Sequence, residues 1–241
     1  MEKKVQIKTP DKKIIYGVLR GSLKKPLIIQ VHGLTGNMNS AIHYNAARYF
    51  EKAGFSDFRF NLYDWQKGAR KLHECTLKTH GQDIDTVIKY FASRGVKKIL
   101  LVGHSYGFPS ILCAKDRKFA TVVSWDGSRL PHTFFDKVKY IKNPKGALYA
   151  GECLVFVGDR MIKEAHMLNS EKILKTFDKP IKFITVHDKH EGNLIPTKKM
   201  YRVANEPKEL TIIKGGSHTF WEDGKQEVLY KETVSWFKKF L

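Results

Sequence analysis

A continuous apolar run leads directly into a serine flanked by glycines at residues 98–107, which are Lys98-Ile99-Leu100-Leu101-Val102-Gly103-His104-Ser105-Tyr106-Gly107. Short apolar runs of this kind are typical of strands that are buried on both faces of a parallel sheet. The Gly-x-Ser-x-Gly pattern, followed by a predicted helix over residues 105–115, indicates a sharp strand-to-helix turn that presents the serine hydroxyl. Ser105 is therefore the candidate nucleophile of the chain.

Strand-like and helix-like segments alternate on both sides of this turn. The predicted strands cover residues 3–8, 14–19, 27–31, 55–62, 98–102, 121–125, 181–187 and 209–213. The predicted helices cover residues 40–53, 79–94, 105–115, 197–204 and 225–240. This alternation predicts an α/β fold with a mostly parallel central sheet, an N-terminal antiparallel hairpin and helices on both faces. Residues 128–180 lack a regular pattern, and we interpret them as a small cap insertion within a single domain of residues 1–241.

The candidate base is His218, one of ten histidines in the chain. A serine hydroxyl is a poor nucleophile near neutral pH and needs a base to take its proton. His218 lies in the loop Gly215-Gly216-Ser217-His218-Thr219-Phe220, after the last predicted strand and before the final helix. This position late in the chain, after the serine, favours His218. His104 is predicted to point away from a substrate, and His32 is predicted to be structural.

The chain is strongly basic, with a formal net charge of +19. The lysines occur in ones and twos along the whole sequence, and no basic arm or zinc-finger spacing is present. This distribution predicts a lysine-rich solvated surface that does not bind nucleic acid and has at most a weak attraction to anionic surfaces.

Cysteine content and hydropathy indicate the compartment. Three cysteines do not form the pattern of a disulfide framework. No apolar run approaches the roughly 20 residues that a membrane-spanning helix needs. We therefore expect a cytoplasmic protein without stable membrane insertion.

The order of these motifs resembles that of the α/β-hydrolase superfamily. His32-Gly33 follows a strand, then come the Ser105 turn, a loop carrying an acid, and Gly216-Ser217-His218. Within the superfamily, the chain is most similar to small carboxylesterases of the cinnamoyl esterase, monoacylglycerol lipase and acyl-thioesterase kind, over nearly its whole length. One departure concerns Asn61-Leu62-Tyr63-Asp64, which stands where such relatives often have an Asp-x-x-Gly-x-Gly loop.

The resemblance also implies an acid that orients the histidine. Relatives usually place an aspartate shortly after the penultimate strand, ahead of a Val-Pro or Ile-Pro pair. Counting forward from that strand here leads to Glu191, whereas counting back from Ile195-Pro196 leads to a glycine. Glu191 is the favoured candidate on this count. Asp188 in the same loop and Asp126 after the preceding core strand stay open as alternatives.

The oxyanion hole of such enzymes consists of two backbone N–H groups. One belongs to the residue after the nucleophile, which is Tyr106 here. The resemblance gives the other to Leu34, which follows His32-Gly33.

These residues predict a serine hydrolase that cleaves small-molecule carboxylic esters through an acyl-enzyme and needs no cofactor. The alternative is an acyl-thioesterase, because the same triad cleaves thioesters and the positive charge favours an anionic carrier such as coenzyme A or acyl carrier protein. His187, His190 and Glu191 match no zinc-ligand spacing, so no metal is expected.

Overall fold

The computed structural model describes residues 2–136, 138–143, 145–150, 154–187 and 194–241. Its strands are β1 (Glu2–Lys8), β2 (Ile14–Arg20), β3 (Leu27–Val31), β4 (Ser56–Phe60), β5 (Ile99–His104), β6 (Val122–Trp125), β7 (Lys139–Ile141), β8 (Gly146–Ala150), β9 (Leu154–Gly158), β10 (Ile181–His187) and β11 (Lys208–Lys214). Its helices are α1 (Ala41–Lys52), α2 (Leu77–Ala92), α3 (Gly107–Leu112), α4 (Asp159–Met167), α5 (Ser170–Leu174), α6 (Leu194–Val203) and α7 (Lys225–Lys238).

Eight strands form the central sheet in the order β1-β2-β4-β3-β5-β6-β10-β11. β1 and β2 pair as an antiparallel hairpin, and β2 pairs antiparallel with β4. Every other pairing in this sheet is parallel. The predicted fold class, a mostly parallel sheet with an N-terminal antiparallel hairpin, is confirmed.

Both faces of this sheet are covered, which explains the unbroken apolar runs in its central strands. Successive side chains of a strand point to opposite faces, so Leu101 packs in one core while Leu100 and Val102 pack in another. α2 and α6 supply the first core, and α1 and α7 supply the second. The catalytic candidates therefore rest on a sheet that is fixed from both sides.

The segment 128–180 contains more regular structure than its sequence pattern predicts. β7, β8 and β9 form a separate three-stranded antiparallel sheet, and α4 and α5 follow it. Buried side chains of this segment, among them Phe135, Val157 and Met161, cluster with Leu34 and Tyr106 of the central domain. The segment thus packs directly on the loops that carry the candidate site.

None of the helices in the described part of the chain is long and apolar enough to span a membrane.

Candidate active site

Ser105 occupies a strained turn between β5 and α3. Its φ is 52°, in the left-handed region that non-glycine residues seldom adopt. A Cβ on Gly107 would lie 2.2 Å from the carbonyl oxygen of Val31, and a Cβ on Gly103 would lie 2.8 Å from the Cα of Phe108. Both flanking positions therefore need glycine, because a neighbouring backbone lies too close to leave room for a side chain. The predicted strand-turn-helix geometry is present.

His218 is held by a carboxylate on one side of its ring. Its Nδ1–H donates to Oδ2 of Asp126 at 2.5 Å. A neutral ring that donates from Nδ1 carries its basic lone pair on Nε2. Asp126 is 1% exposed, whereas the His218 side chain is 44% exposed. The histidine thus faces a cavity while its partner is buried beneath it.

Asp126 is itself fixed by neighbouring strands. It follows β6 with φ of 46°, a conformation that aspartate tolerates better than most residues. Its N–H donates to the carbonyl oxygen of Ile184 at 2.7 Å, and Thr185 Oγ1 donates to its Oδ1 at 2.6 Å. Both partners belong to β10. Asp126 is therefore an ordered acceptor with a defined direction toward His218.

This contact bears on the three carboxylates that the sequence offers as the acid. The sequence favoured Glu191, but both Glu191 and Asp188 lie outside the described residues. The carboxylate that accepts the His218 Nδ1–H is that of Asp126, one of the two alternatives to Glu191. Residue counting does not reveal this contact, because β6 and β10 are neighbours and the loops after them leave the same edge of the sheet. A sequence signal did exist, since Asp126 directly follows an apolar strand and precedes Gly127.

Ser105 and His218 line one cavity of about 340 Å³, here called the active-site cavity. Its other walls include Leu34, Thr35, His104, Phe134 and Trp221. His104 contributes more than a wall, because its Nε2–H donates to the carbonyl oxygen of His218 at 3.0 Å. This bond ties the His218 loop to the Ser105 turn, and no sequence pattern predicts it.

The predicted oxyanion donors lie next to the serine. Gly33 is so close to Ser105 that a Cβ on it would lie 3.0 Å from the Ser105 Cβ. Leu34 follows Gly33, and Tyr106 follows Ser105. Within the described ranges, neither the Leu34 N–H nor the Tyr106 N–H has a protein acceptor. Two N–H groups in this position are suited to bind an oxygen that becomes negative.

His32 fixes the loop that contains Leu34. Its Nδ1–H donates to the carbonyl oxygen of Gly33 at 2.8 Å, and its Nε2 accepts the N–H of Leu62 at 3.0 Å. Both ring nitrogens are therefore used by the backbone, which requires a neutral ring. Burial lowers the pKa of His32 to about 4, so the ring keeps this role at neutral pH. These contacts agree with the structural role expected from the sequence.

Other histidines near the site are also buried and neutral. Burial lowers the pKa of His104 to about 4 and that of His80 to about 3. Asp57, buried beneath α1, shows the opposite change, because burial raises the pKa of its carboxyl to about 7. These groups predict a defined dependence of stability on pH.

We expect the free energy of unfolding to decrease as pH falls from about 6.5 to 4. In that window the unfolded chain protonates His32, His80 and His104 while the folded chain does not. Asp57 opposes this trend, since the folded state holds its proton at a pH where the unfolded state has lost it. The destabilising contribution of the three histidines exceeds the stabilising contribution of Asp57. The urea midpoint of unfolding should therefore be about 1 M lower at pH 5 than at pH 7.

The variant Asp57→Asn isolates the opposing contribution. It removes the titrating group while keeping an oxygen that can accept the Gln30 amide, which donates to Asp57 at 2.6 Å. The decrease in midpoint between pH 7 and pH 5 should therefore be larger in this variant. An equal or higher midpoint at pH 5 in the unmodified protein would contradict the expectation.

Within the described ranges, no group of three or more histidine, cysteine, aspartate or glutamate side chains is arranged to hold a metal ion. His190 and Glu191, which the sequence analysis considered for this purpose, lie outside these ranges.

Several solved structures share this architecture along the entire chain. The protein Est1E from Butyrivibrio proteoclasticus, solved with ferulic acid bound, has a TM-score of 0.83 at 17% identity, covering 98% of this chain and 99% of that one. The esterase domain of a Rhodothermus marinus protein has a TM-score of 0.80 at 14% identity, covering 100% and 99%. The α/β hydrolase GrgF from Penicillium sp. sh18 has a TM-score of 0.81 at 15% identity, also covering 100% and 99%.

No protein-family model matches the sequence, and no curated protein matches it at a significant level. At identities below one fifth, the solved structures establish the fold. The chain has the α/β-hydrolase fold, as its resemblance to that superfamily implied.

Proposed function

We propose that this protein is a serine hydrolase that cleaves carboxylic esters with Ser105 as nucleophile, His218 as base and Asp126 as the orienting acid. The observation that carries the proposal is the hydrogen bond from His218 Nδ1–H to Asp126 at 2.5 Å. His218 also lines the same cavity as Ser105, which lies at the strand-to-helix turn. A buried carboxylate that fixes the tautomer of a histidine beside a serine is the arrangement of a catalytic triad.

The proposed reaction proceeds in two steps. His218 Nε2 takes the hydroxyl proton of Ser105 as Oγ bonds to the ester carbonyl carbon, and the N–H groups of Leu34 and Tyr106 hold the resulting oxyanion. The C–O bond to the alcohol then breaks, and His218 gives its proton to the departing oxygen. Water hydrolyses the acyl-enzyme by the same route, which regenerates Ser105 and releases the carboxylic acid. None of these steps requires a cofactor.

The purified protein tests this proposal through hydrolysis of p-nitrophenyl acetate and labelling by a fluorophosphonate probe. We expect turnover and a covalent adduct on Ser105. If neither occurs, the alternative is a catalytically silent binding protein on a hydrolase scaffold.

The second candidate function is an acyl-thioesterase, favoured by the net charge of +19. Matched p-nitrophenyl butyrate and butyryl-coenzyme A distinguish the two. We expect the oxygen ester to have the higher kcat/KM. A thioesterase for an anionic carrier would instead prefer the thioester, and its kcat/KM would fall with added salt because screening weakens attraction between exposed charges.

We also expect His104 to act as a positioning residue for His218. The variant His104→Phe keeps a ring but removes the N–H donated to the His218 carbonyl at 3.0 Å, so kcat should fall about tenfold, as for one lost hydrogen bond. His104→Gln retains a donor near the Nε2 position and should recover most of this loss. Steady-state kinetics with p-nitrophenyl butyrate give kcat and KM separately. Equal kcat for both variants would exclude the positioning role.

A further inference from the structure

A second, larger cavity adjoins the active-site cavity. This distal cavity has a volume of about 790 Å³, compared with about 340 Å³ for its neighbour. Its walls come from the loops 35–39 and 61–66, from residues 71–73 and from Val155 and Phe156 of β9. Thr35 and Gly36 line both cavities, so they form the ridge between them.

The ridge is held in an unusual conformation by residues of the distal cavity. Thr35 has φ of 67°, which is strained for a β-branched residue. Gly36 N–H donates to the Gly33 carbonyl oxygen at 3.2 Å, and the Tyr63 hydroxyl donates to the Gly36 carbonyl oxygen, also at 3.2 Å. Thr35 directly follows Leu34, the proposed oxyanion donor. A substrate group that crosses this ridge is therefore attached close to the reacting carbonyl carbon.

The position of His218 decides which part of an ester crosses the ridge. In the proposed reaction the alcohol oxygen must lie beside His218 to receive its proton. His218, Thr219 and Trp221 line the active-site cavity but are absent from the walls of the distal cavity. The alcohol thus belongs on the His218 side, and the acyl group is the part directed toward Thr35 and Gly36.

Several polar side chains of the distal cavity are hydrogen-bonded within the loop 61–66. Asp64 accepts from the side chains of Asn61 at 2.6 Å and Gln66 at 3.1 Å. The Lys71 ammonium donates to the carbonyl oxygens of Asp64 at 2.9 Å and Gln66 at 3.2 Å. These bonds fix the loop 61–66, and they occupy the charged groups that would otherwise attract a charged ligand.

The larger part of the cavity surface is apolar, although Asn37, Asn39 and His73 also line it. Trp65 is 90% exposed and, with Met38, Tyr63, Val155 and Phe156, contributes side chains that favour contact with hydrocarbon. The wall formed by β9 is anchored, because a Cβ on Gly158 would lie 2.2 Å from the carbonyl oxygen of His73. The cavity is therefore largely formed before a ligand enters.

We propose that the distal cavity is the acyl subsite, and that it binds the far end of an extended apolar acyl chain that passes over Thr35 and Gly36. This assignment rests on the proposed esterase function. It makes Trp65 and Val155 determinants of acyl-chain length, and it places the alcohol near Trp221.

The test is the ratio of kcat/KM for p-nitrophenyl octanoate to that for p-nitrophenyl acetate. Trp65→Ala removes a wall, and Val155→Trp fills part of the cavity. Each should lower the ratio by about tenfold, the scale of a few methylene contacts. Trp65 is exposed, so the first variant should fold normally. Trp221→Ala is the matched control, because it deletes the same ring on the alcohol side, and it should leave the ratio unchanged.

Other outcomes separate the two proposals. Unchanged ratios in Trp65→Ala and Val155→Trp, with acetate hydrolysis that depends on Ser105, overturn the acyl subsite and leave the esterase proposal standing. Trp65→Ala could instead change the preference among acetate esters of longer alcohols and leave the octanoate-to-acetate ratio unchanged. That result would assign the distal cavity to the alcohol and would also overturn the acyl subsite. Absence of hydrolysis for every ester by the unmodified protein contradicts the function itself.

Discussion

Replacing Ser105 by alanine is expected to lower kcat for p-nitrophenyl butyrate by about 10⁴- to 10⁶-fold. The hydroxyl is the proposed nucleophile, and the strained turn places Ser105 in the wall of the active-site cavity. The small remaining rate should come from the oxyanion donors and from substrate binding. Stopped-flow or steady-state release of p-nitrophenol measures the change, and circular dichroism checks that the fold is retained.

Ser110→Ala is a matched control for this substitution. Ser110 also contacts a histidine, since its Oγ lies 3.0 Å from His80 Nδ1, but it is buried and does not line the active-site cavity. We expect this variant to keep most of its activity and to lose about 1–3 kcal/mol of stability from the unpaired buried groups. Undiminished turnover in Ser105→Ala, or loss of turnover in Ser110→Ala with Ser105 still labelled by a fluorophosphonate, would contradict the assignment.

Replacing Asp126 by asparagine is expected to lower kcat by about 10⁴-fold. Asparagine keeps the size of the side chain but presents an amide N–H or a weaker acceptor to His218 Nδ1. The ring then no longer holds its proton on Nδ1, and Nε2 loses its role as base. The Thr185 hydroxyl, which donates to Asp126 at 2.6 Å, favours retention of the local structure. The measurement is kcat for p-nitrophenyl butyrate across pH 6 to 9. The variant and the unmodified protein are compared under conditions where their stabilities are equal.

Glu191→Gln and Asp188→Asn are the controls for Asp126. Both residues belong to the loop where the sequence placed the acid, and both should keep near-normal kcat if Asp126 is the partner of His218. The opposite pattern would identify Glu191 as the acid. In that case Glu191→Gln would lose most of its kcat and Asp126→Asn would keep a normal kcat.

The sequence singles out one candidate base but leaves three candidates for the acid. His218 stands out because its loop has glycines and lies between the last strand and the final helix. The acid depends on which of two loops, after β6 or after β10, brings its carboxylate to Nδ1. These strands are neighbours in the sheet, so both loops start from the same edge and residue counting does not separate them.

The cap segment, residues 128–180, likewise contains structure that its sequence pattern does not predict. In the described part of this segment, the three short strands pair only with one another, and β9 packs against the residues around His73, far away in the sequence. Short strands with long-range partners have little local pattern, because their stability comes from pairing and burial rather than from intrinsic preference. The distal cavity consequently had no signature in the sequence.

Sequence patterns are sufficient to predict the parallel sheet, its N-terminal hairpin and the serine turn. Each of these follows from local rules: apolar runs in doubly covered strands, and glycines where backbones meet at Gly103 and Gly107. Packing in three dimensions is what brings Asp126 to His218, lets His104 connect the Ser105 turn to the His218 loop, and makes Thr35 divide two cavities. These features join residues distant in the chain, and their geometry is set by how strands and loops pack in space.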